Sequence, residues 1–278
     1  MSLFDQMKNS GIVSFEMMPN QNGPFHISDA NDNPISICFP TDSIIGKTAY
    51  EKQSWDSDKI NFFHTQASRY DKVILVDVGA NIGLFSRQCL SAISNIAMIY
   101  AYEPNAQNYR LLQRNLRDIK VSASLVNAAL SITDGKTTLY EDGRNCGNYS
   151  LNRAAMYDHP EFTTSTIDTI NAVNEQVKWQ SASENGSTPI FYKSDTQGFD
   201  ELIATTYDTE FWENVKCASF ELWRIDKPEL NRDKFVHMLN QFPNKSFQYR
   251  NNGSMSNDQI LEYMSGTDGE HEDLLCWK

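Results

Sequence analysis

The chain has 278 residues, 40% hydrophobic, 22% charged and 12% aromatic, an ordinary composition for a soluble globular enzyme with a substantial core. A formal net charge of -12 opposes binding to a phosphate backbone, which needs clustered Lys and Arg, so nucleic acid is not expected as a partner. No transmembrane segment is expected, because no stretch approaches the roughly 18 apolar residues that span a bilayer.

The amino-terminal residues Met1 to Ser10 carry Asp5 and Lys8 and lack an apolar signal core, which fits a cytoplasmic setting. Residues 1 to 40 are rich in Asn, Pro, Asp and Gly with short extended runs such as Ile35 to Phe39, and read as small strands and turns. Between Tyr50 and Tyr70 apolar residues fall on one helical face, with Trp55, Ile60, Phe62 and Phe63 as anchors. Residues 1–70 are therefore expected to form an N-terminal appendage of short strands and a helix, ahead of a Rossmann-like domain over 71–278.

From Lys72 onward the pattern is regular. The apolar run Val73 to Val78, a glycine turn, a helical stretch, a second run Ala97 to Tyr102 and another helix imply an α/β fold with a parallel sheet and crossover helices. Pro104 suits the first turn of that second helix, and Tyr109, Leu112, Leu116 and Ile119 recur at helical spacing. A third strand is expected over Val121 to Ala129. Ser131 to Ser187 is polar and reads as irregular, with a loop insertion from Val177 to Thr188. A fourth strand over Ile190 to Ser194, a helical Phe199 to Thr206 and a fifth strand over Val215 to Leu222 follow. Phe247 to Arg250 and Asp273 to Trp277 would close the sheet as an antiparallel edge hairpin.

Five cysteines, Cys38, Cys89, Cys146, Cys217 and Cys276, lie far apart with no C-x-x-C pair, and the histidines His26, His64, His159 and His237 show no ligand-like spacing. No metal is expected. Val76-Asp77-Val78-Gly79-Ala80-Asn81-Ile82-Gly83 joins an apolar strand to a helix, and its glycines let the backbone turn approach a ligand closely. Asp77, at the carboxyl end of the strand, can engage the amino group of a bound amino acid moiety. Glu103 ends the second strand, where a carboxylate accepts hydrogen bonds from both ribose hydroxyls. The dinucleotide fingerprint has a second glycine where this chain has Asn81, which favours an adenosine cofactor without phosphates. Asn127 and Ala128, after the third strand, are placed to contact the adenine edge; a loop Asn capping its own turn is the alternative.

Lys193-Ser194-Asp195-Thr196-Gln197-Gly198-Phe199-Asp200 ends the fourth strand, at the rim that faces the reactive end of the cofactor. Asp195 is a candidate base for an acceptor hydroxyl and Lys193 a group to orient it, while Glu221, at the end of the fifth strand, points to the same rim. An Asp–Lys pair that braces a turn is the competing reading. His271, beside Glu272 and Asp273, is a possible proton acceptor or a surface histidine in an acidic loop.

These blocks together resemble the FkbM-type methyltransferases, a class I S-adenosylmethionine family. The resemblance runs from about Val73 to Trp223 and includes Tyr102-Glu103-Pro104-Asn105, Asn127-Ala128-Ala129-Leu130-Ser131, Ser150-Leu151, Thr166-Ile167-Asp168 and Phe220-Glu221-Leu222-Trp223. It implies a seven-stranded, mostly parallel sheet with an antiparallel C-terminal hairpin, S-adenosyl-L-methionine as cofactor, and transfer of a methyl group to a hydroxyl of a sugar, glycan or other polyhydroxylated metabolite. It places Asp77, Gly79 and Glu103 at the cofactor and Asp195 and Gln197 after the fourth strand. Ser194 and Thr196 stand where the family usually has apolar residues, and Asp200 where Glu is usual. An NAD(P)-dependent oxidoreductase and a non-catalytic nucleotide-fold binding module stay open as other readings.

Overall fold

Every residue of the apolar run Val73–Val78 (β3) is buried, as a central parallel strand covered on both faces requires. The computed structural model that shows this describes residues 12–16, 36–40, 44–45, 48–49, 55–143, 145–156, 162–184, 186–249 and 253–278. Met1 to Ser10, His26, His159 and Arg250 lie outside the described residues, as does much of the reading made for residues 1–40.

Ahead of the sheet, β1 (Ile12–Glu16) pairs antiparallel with β2 (Ser36–Pro40), and α1 (Ser57–Ala67) follows. Beyond β3 come α2 (Leu84–Ala92), β4 (Ile96–Tyr102), α3 (Ala106–Asn115), β5 (Ser122–Val126) and β6 (Ala129–Ser131). A second group comprises β7 (Gly135–Asp142), β8 (Tyr149–Ser150), β9 (Phe162–Asn171) and α4 (Ala172–Ala182). The chain closes with β10 (Ile190–Ser194), α5 (Asp200–Ala204), α6 (Thr209–Asn214), β11 (Val215–Trp223), α7 (Arg232–Leu239), β12 (Asn244–Phe247), α8 (Asn257–Met264) and β13 (His271–Trp277).

The main sheet has seven strands in the order β12-β13-β11-β10-β3-β4-β5. The pairs from β11 through β5 are parallel, while β13 runs antiparallel to both neighbours, so it alone is reversed. The pleat of β3 sorts the core. Ile74, Val76 and Val78 join Tyr102, Trp179, Tyr192 and Phe220 on one face; Val73 and Leu75 join Phe63, Phe85, Cys89 and Phe191 on the other. Helix α1 belongs to the second face through Ile60, Phe63 and Ala67.

Four sequence expectations need correction. The described residues between Ser131 and Ser187 form regular elements for the most part: β6-β9-β7-β8 make a separate sheet, and Val177 to Ala182 lies inside α4. Its strands are rich in Thr, whose branched side chain suits a pleated surface without raising hydropathy, and its apolar residues are divided between two small clusters, one of Ala129, Leu139 and Ile167 and one where Tyr140 and Phe162 pack against Met156 and Trp223. The third strand breaks at Asn127, and Ala129 to Ser131 crosses to this second sheet.

The second helix starts after Pro104. Asn105 is its N-cap, accepting from the backbone N–H of Gln107 and Asn108, and the helix ends at Asn115, short of Leu116 and Ile119. The closing edge strand is Asn244–Phe247, not Phe247 to Arg250; it pairs with β13 across the intervening α8. Its polar lettering is explained by Lys245, which is buried with its amine donating to the carbonyls of Leu239 and Phe242. The five cysteines are free and buried, and among the described residues no helix is long and apolar enough to cross a membrane.

Candidate active site

A cavity of about 640 Å³ opens at the carboxyl ends of β3, β4, β10 and β11. Gly79, Asn81, Glu103, Ala128, Lys193, Asp195 and Glu221 line it; Asp77, Gly83 and Asn127 do not. Gly79 has φ 72°, and a Cβ there would stand 1.9 Å from the carbonyl oxygen of Asp195, so only glycine lets the two loops meet. Asn81 adopts φ 52°, a left-handed conformation that Asn tolerates better than most residues.

All five backbone N–H groups of the turn are already engaged. Those of Gly79 and Ala80 donate to the carbonyl of Tyr102 (3.0 and 2.9 Å), and that of Gly83 to Ala80 (2.8 Å). The N–H of Ile82 donates to its neighbour's side chain at Asn81 Oδ1 (2.7 Å), and that of Asn81 to Glu103 Oε2 (2.9 Å). The other oxygen of Glu103 accepts from the N–H of Asn105 (2.8 Å). Each carboxylate oxygen retains acceptor capacity for a further donor. Burial pushes the Glu103 carboxyl up to about 7, against the pull of those hydrogen bonds and of Lys193.

Asp77 sits below the cavity floor. Asp77 and Lys193 are register partners on β3 and β10, so the pleat turns both to one face, where Lys193 Nζ lies 3.0 Å from Asp77 Oδ1. Ser86 Oγ donates to the same carboxylate (2.6 Å), and Lys193 also donates to the carbonyl of Gly79 (2.8 Å). Burial disfavours charge on Lys193, but Asp77 and Asp195 outweigh it and hold the ammonium above its ordinary value. Gly83, at φ 81°, caps α2 and packs against Leu112. Asn127 donates to the carbonyls of Glu103 and Pro104, fixing the loop that carries Glu103.

At the other end of the cavity Gln197 Nε2 bridges two carboxylates, at 2.7 Å from Asp195 Oδ1 and 2.8 Å from Glu221 Oε2. Their environments drive them apart. Burial opposes charge on Asp195, yet Lys193, Lys59 and the Gln197 hydrogen bond hold its carboxyl below the usual carboxylate range. Burial and the charge of Asp195 push Glu221 far above it, although Trp223 Nε1 donates to Glu221 Oε2 (2.7 Å). The three residues noted as departures from the family pattern are joined: Ser194 Oγ donates to Asp200, which also accepts from the backbone N–H of Thr196.

Sequence reasoning missed several walls. Leu139, Asp142 and Tyr149 of the second sheet and Asn148 of its β7–β8 loop line the cavity, and so do Trp55 and Asp56 ahead of α1. The loop between β7 and β8 is fastened to the glycine turn, because Asn81 Nδ2 and Asn108 Nδ2 both donate to the carbonyl of Cys146 (3.0 Å each). The asparagines were visible in the sequence; their shared partner was not.

The sheet order with one reversed strand defines the Rossmann-like class I methyltransferase architecture. No family model matches the chain and no curated protein matches it. Among solved structures it is similar to methyltransferase FkbM from Methylobacillus flagellatus KT, at 14% identity over 74% of this chain and 44% of that one, with a TM-score of 0.39. The chain thus spans under half the length of that protein. It is also similar to precorrin-6y C5,15-methyltransferase from Geobacter metallireducens GS-15, at 11% identity over 80% of this chain and 89% of that one, TM-score 0.36. A geranyl diphosphate methyltransferase in complex with GPP and sinefungin is similar at 10% identity, over 91% and 87% of the two chains, TM-score 0.37.

Proposed function

We propose that the protein is an S-adenosylmethionine-dependent methyltransferase acting on a hydroxyl of a sugar, glycan or other polyhydroxylated metabolite. The observation that carries this reading is the glycine turn, whose N–H groups from Gly79 to Gly83 are all spent inside the protein. A dinucleotide needs such groups for its pyrophosphate. A cofactor without phosphates does not, and it can still use the backbone approach that Gly79 permits.

In this reading Glu103 holds the ribose hydroxyls and Ala128 lies beside the adenine. Asn81 and Asn127 act by holding Glu103 and its loop, and Asp77 by holding Lys193, so these three serve the cofactor indirectly. The bound cofactor supplies an electrophilic methyl group. Asp195, Gln197 and Glu221 offer hydrogen-bonding atoms suited to a polyhydroxylated acceptor, and the charge balance at that end supports a neutral acceptor over an anionic one. The proposed setting is cytoplasmic, with residues 71–278 as the catalytic domain.

Calorimetric titration of the purified protein with S-adenosylmethionine and, separately, NADH tests the reading. Binding of S-adenosylmethionine with no measurable NADH binding is expected; the reverse order would establish an oxidoreductase instead.

A further inference from the structure

His271 is the first residue of the one reversed strand, and that reversal delivers it to the edge of the sheet where the parallel strands end. Its register partner is Trp223, the last residue of β11. The imidazole stacks on the Trp223 indole with ring centroids 4.5 Å apart and planes at 18°. It lines the cavity with half of its side chain exposed, and its Nε2 lies 3.6 Å from Glu221 Oε1. Among the described residues no hydrogen-bond partner meets its Nδ1. Glu221 is in turn fixed through its other oxygen by Gln197 and Trp223.

Resting on the methyltransferase reading above, we propose that His271 is the catalytic residue that takes the proton from the acceptor hydroxyl, its ring oriented by the stack on Trp223. With no partner among the described residues, Nδ1 offers its lone pair to the acceptor while the ring carries its own proton on Nε2. The acceptor oxygen forms its bond to the methyl carbon as the carbon–sulfur bond breaks, sulfur keeps the electron pair, and the hydroxyl proton passes to Nδ1. One positive charge thereby leaves sulfur and one appears on the imidazole, so the charge within the cavity is conserved.

The other candidates are less suited. Lys193 is committed to Asp77 and Gly79, and Asp195 is a weakened base because Lys193 and Lys59 stabilise its anion. The titratable groups around His271 come from four elements: Lys193 and Asp195 at the end of β10, Glu221 on β11, whose carboxyl burial keeps protonated, Glu272 and Asp273 on β13, and Asp56 and Lys59 at α1. Arg224, directly after β11, is paired with Asp268 and Glu270 on the loop that leads into β13. Burial and Lys59 lower the imidazole below its ordinary value against the attraction of Asp195, so the ring is neutral and able to accept a proton near pH 7.

The test is nitrogen-15 NMR of the imidazole across pH 5 to 9 in protein saturated with S-adenosylmethionine or with S-adenosylhomocysteine, assigned with His271→Gln. The two ligands differ by the methyl group and one positive charge. A neutral ring protonated at Nε2, and a pKa lower with S-adenosylmethionine by about half a unit or more, is the expected result for a ring near the reacting methyl. A neutral ring protonated at Nδ1, or the same pKa with both ligands, overturns the role of His271 while leaving cofactor binding intact. Failure of both ligands to bind overturns the methyltransferase reading, and this assignment with it.

Discussion

At the scale of single residues, the site is built from charges placed where burial would ordinarily forbid them. Asp77 and Lys193 are each almost wholly buried and neutralise one another at 3.0 Å. Removing one partner strands the other, which typically costs about 3–5 kcal/mol. Asp77→Asn should therefore lower the unfolding free energy from urea titration by that amount, whereas a residue that only touched cofactor would leave the apo protein's stability unchanged. Glu103 makes a different prediction. Its carboxyl is raised to about 7 in the folded protein, so between its ordinary value near 4.5 and 7 the folded state holds a proton that the unfolded chain releases. Its contribution to stability is complete below pH 4.5 and declines as pH rises through 7. The stability difference between wild type and Glu103→Gln should change by up to about 1.4 kcal/mol per pH unit across that window and level off above it. Asp200, raised to about 7 as well, titrates in both proteins and cancels from the difference. A difference that stays constant with pH would contradict the burial argument.

At the scale of elements, legibility followed hydropathy. β3, β10 and β11 are apolar runs between turn signals, and they were readable because strands buried on both faces leave little room for polar residues. β7 and β9 were not, because their apolar residues are few and divided, Leu139 and Ile167 facing one small cluster and Tyr140 and Phe162 another, while Thr pairs such as Thr138 and Thr166 carry the rest. Helix α4 was hidden in the same way: Val173 and Val177 are exposed while Trp179 is wholly buried. Trp179 packs against Tyr100, Tyr102, Tyr192, Tyr207 and Phe211, and its Nε1 donates to Tyr102 Oη. That hydroxyl donates onward to Glu175, so one indole ties α4 to the end of the strand that leads into Glu103. Trp179→Ala should cost about 3–5 kcal/mol of unfolding free energy in denaturant titration. A loss under 1 kcal/mol would show that α4 is dispensable to the sheet.

For the whole molecule, two features decide where chemistry can occur. The parallel strands bring Gly79, Glu103, Asp195 and Glu221 to one edge, and the reversed β13 adds His271 to the same edge. The first four were legible because motif and strand end coincide in the chain. His271 was readable as a possible proton acceptor but not as part of this edge, because it joins the site only through pairing with β11, from which it is separated in sequence by two helices and β12. The walls supplied by the second sheet and by Trp55 and Asp56 were illegible for the same reason: each is a long-range contact with no local sequence mark. If this edge grips a phosphate-free adenosine cofactor through Glu103, as proposed, a calorimetric titration of wild type and Glu103→Ala with S-adenosylmethionine shows it most directly. The wild type should bind and the variant should lose about 1–3 kcal/mol, a weakening of roughly 5- to 150-fold. Equal affinity in the two proteins would contradict it.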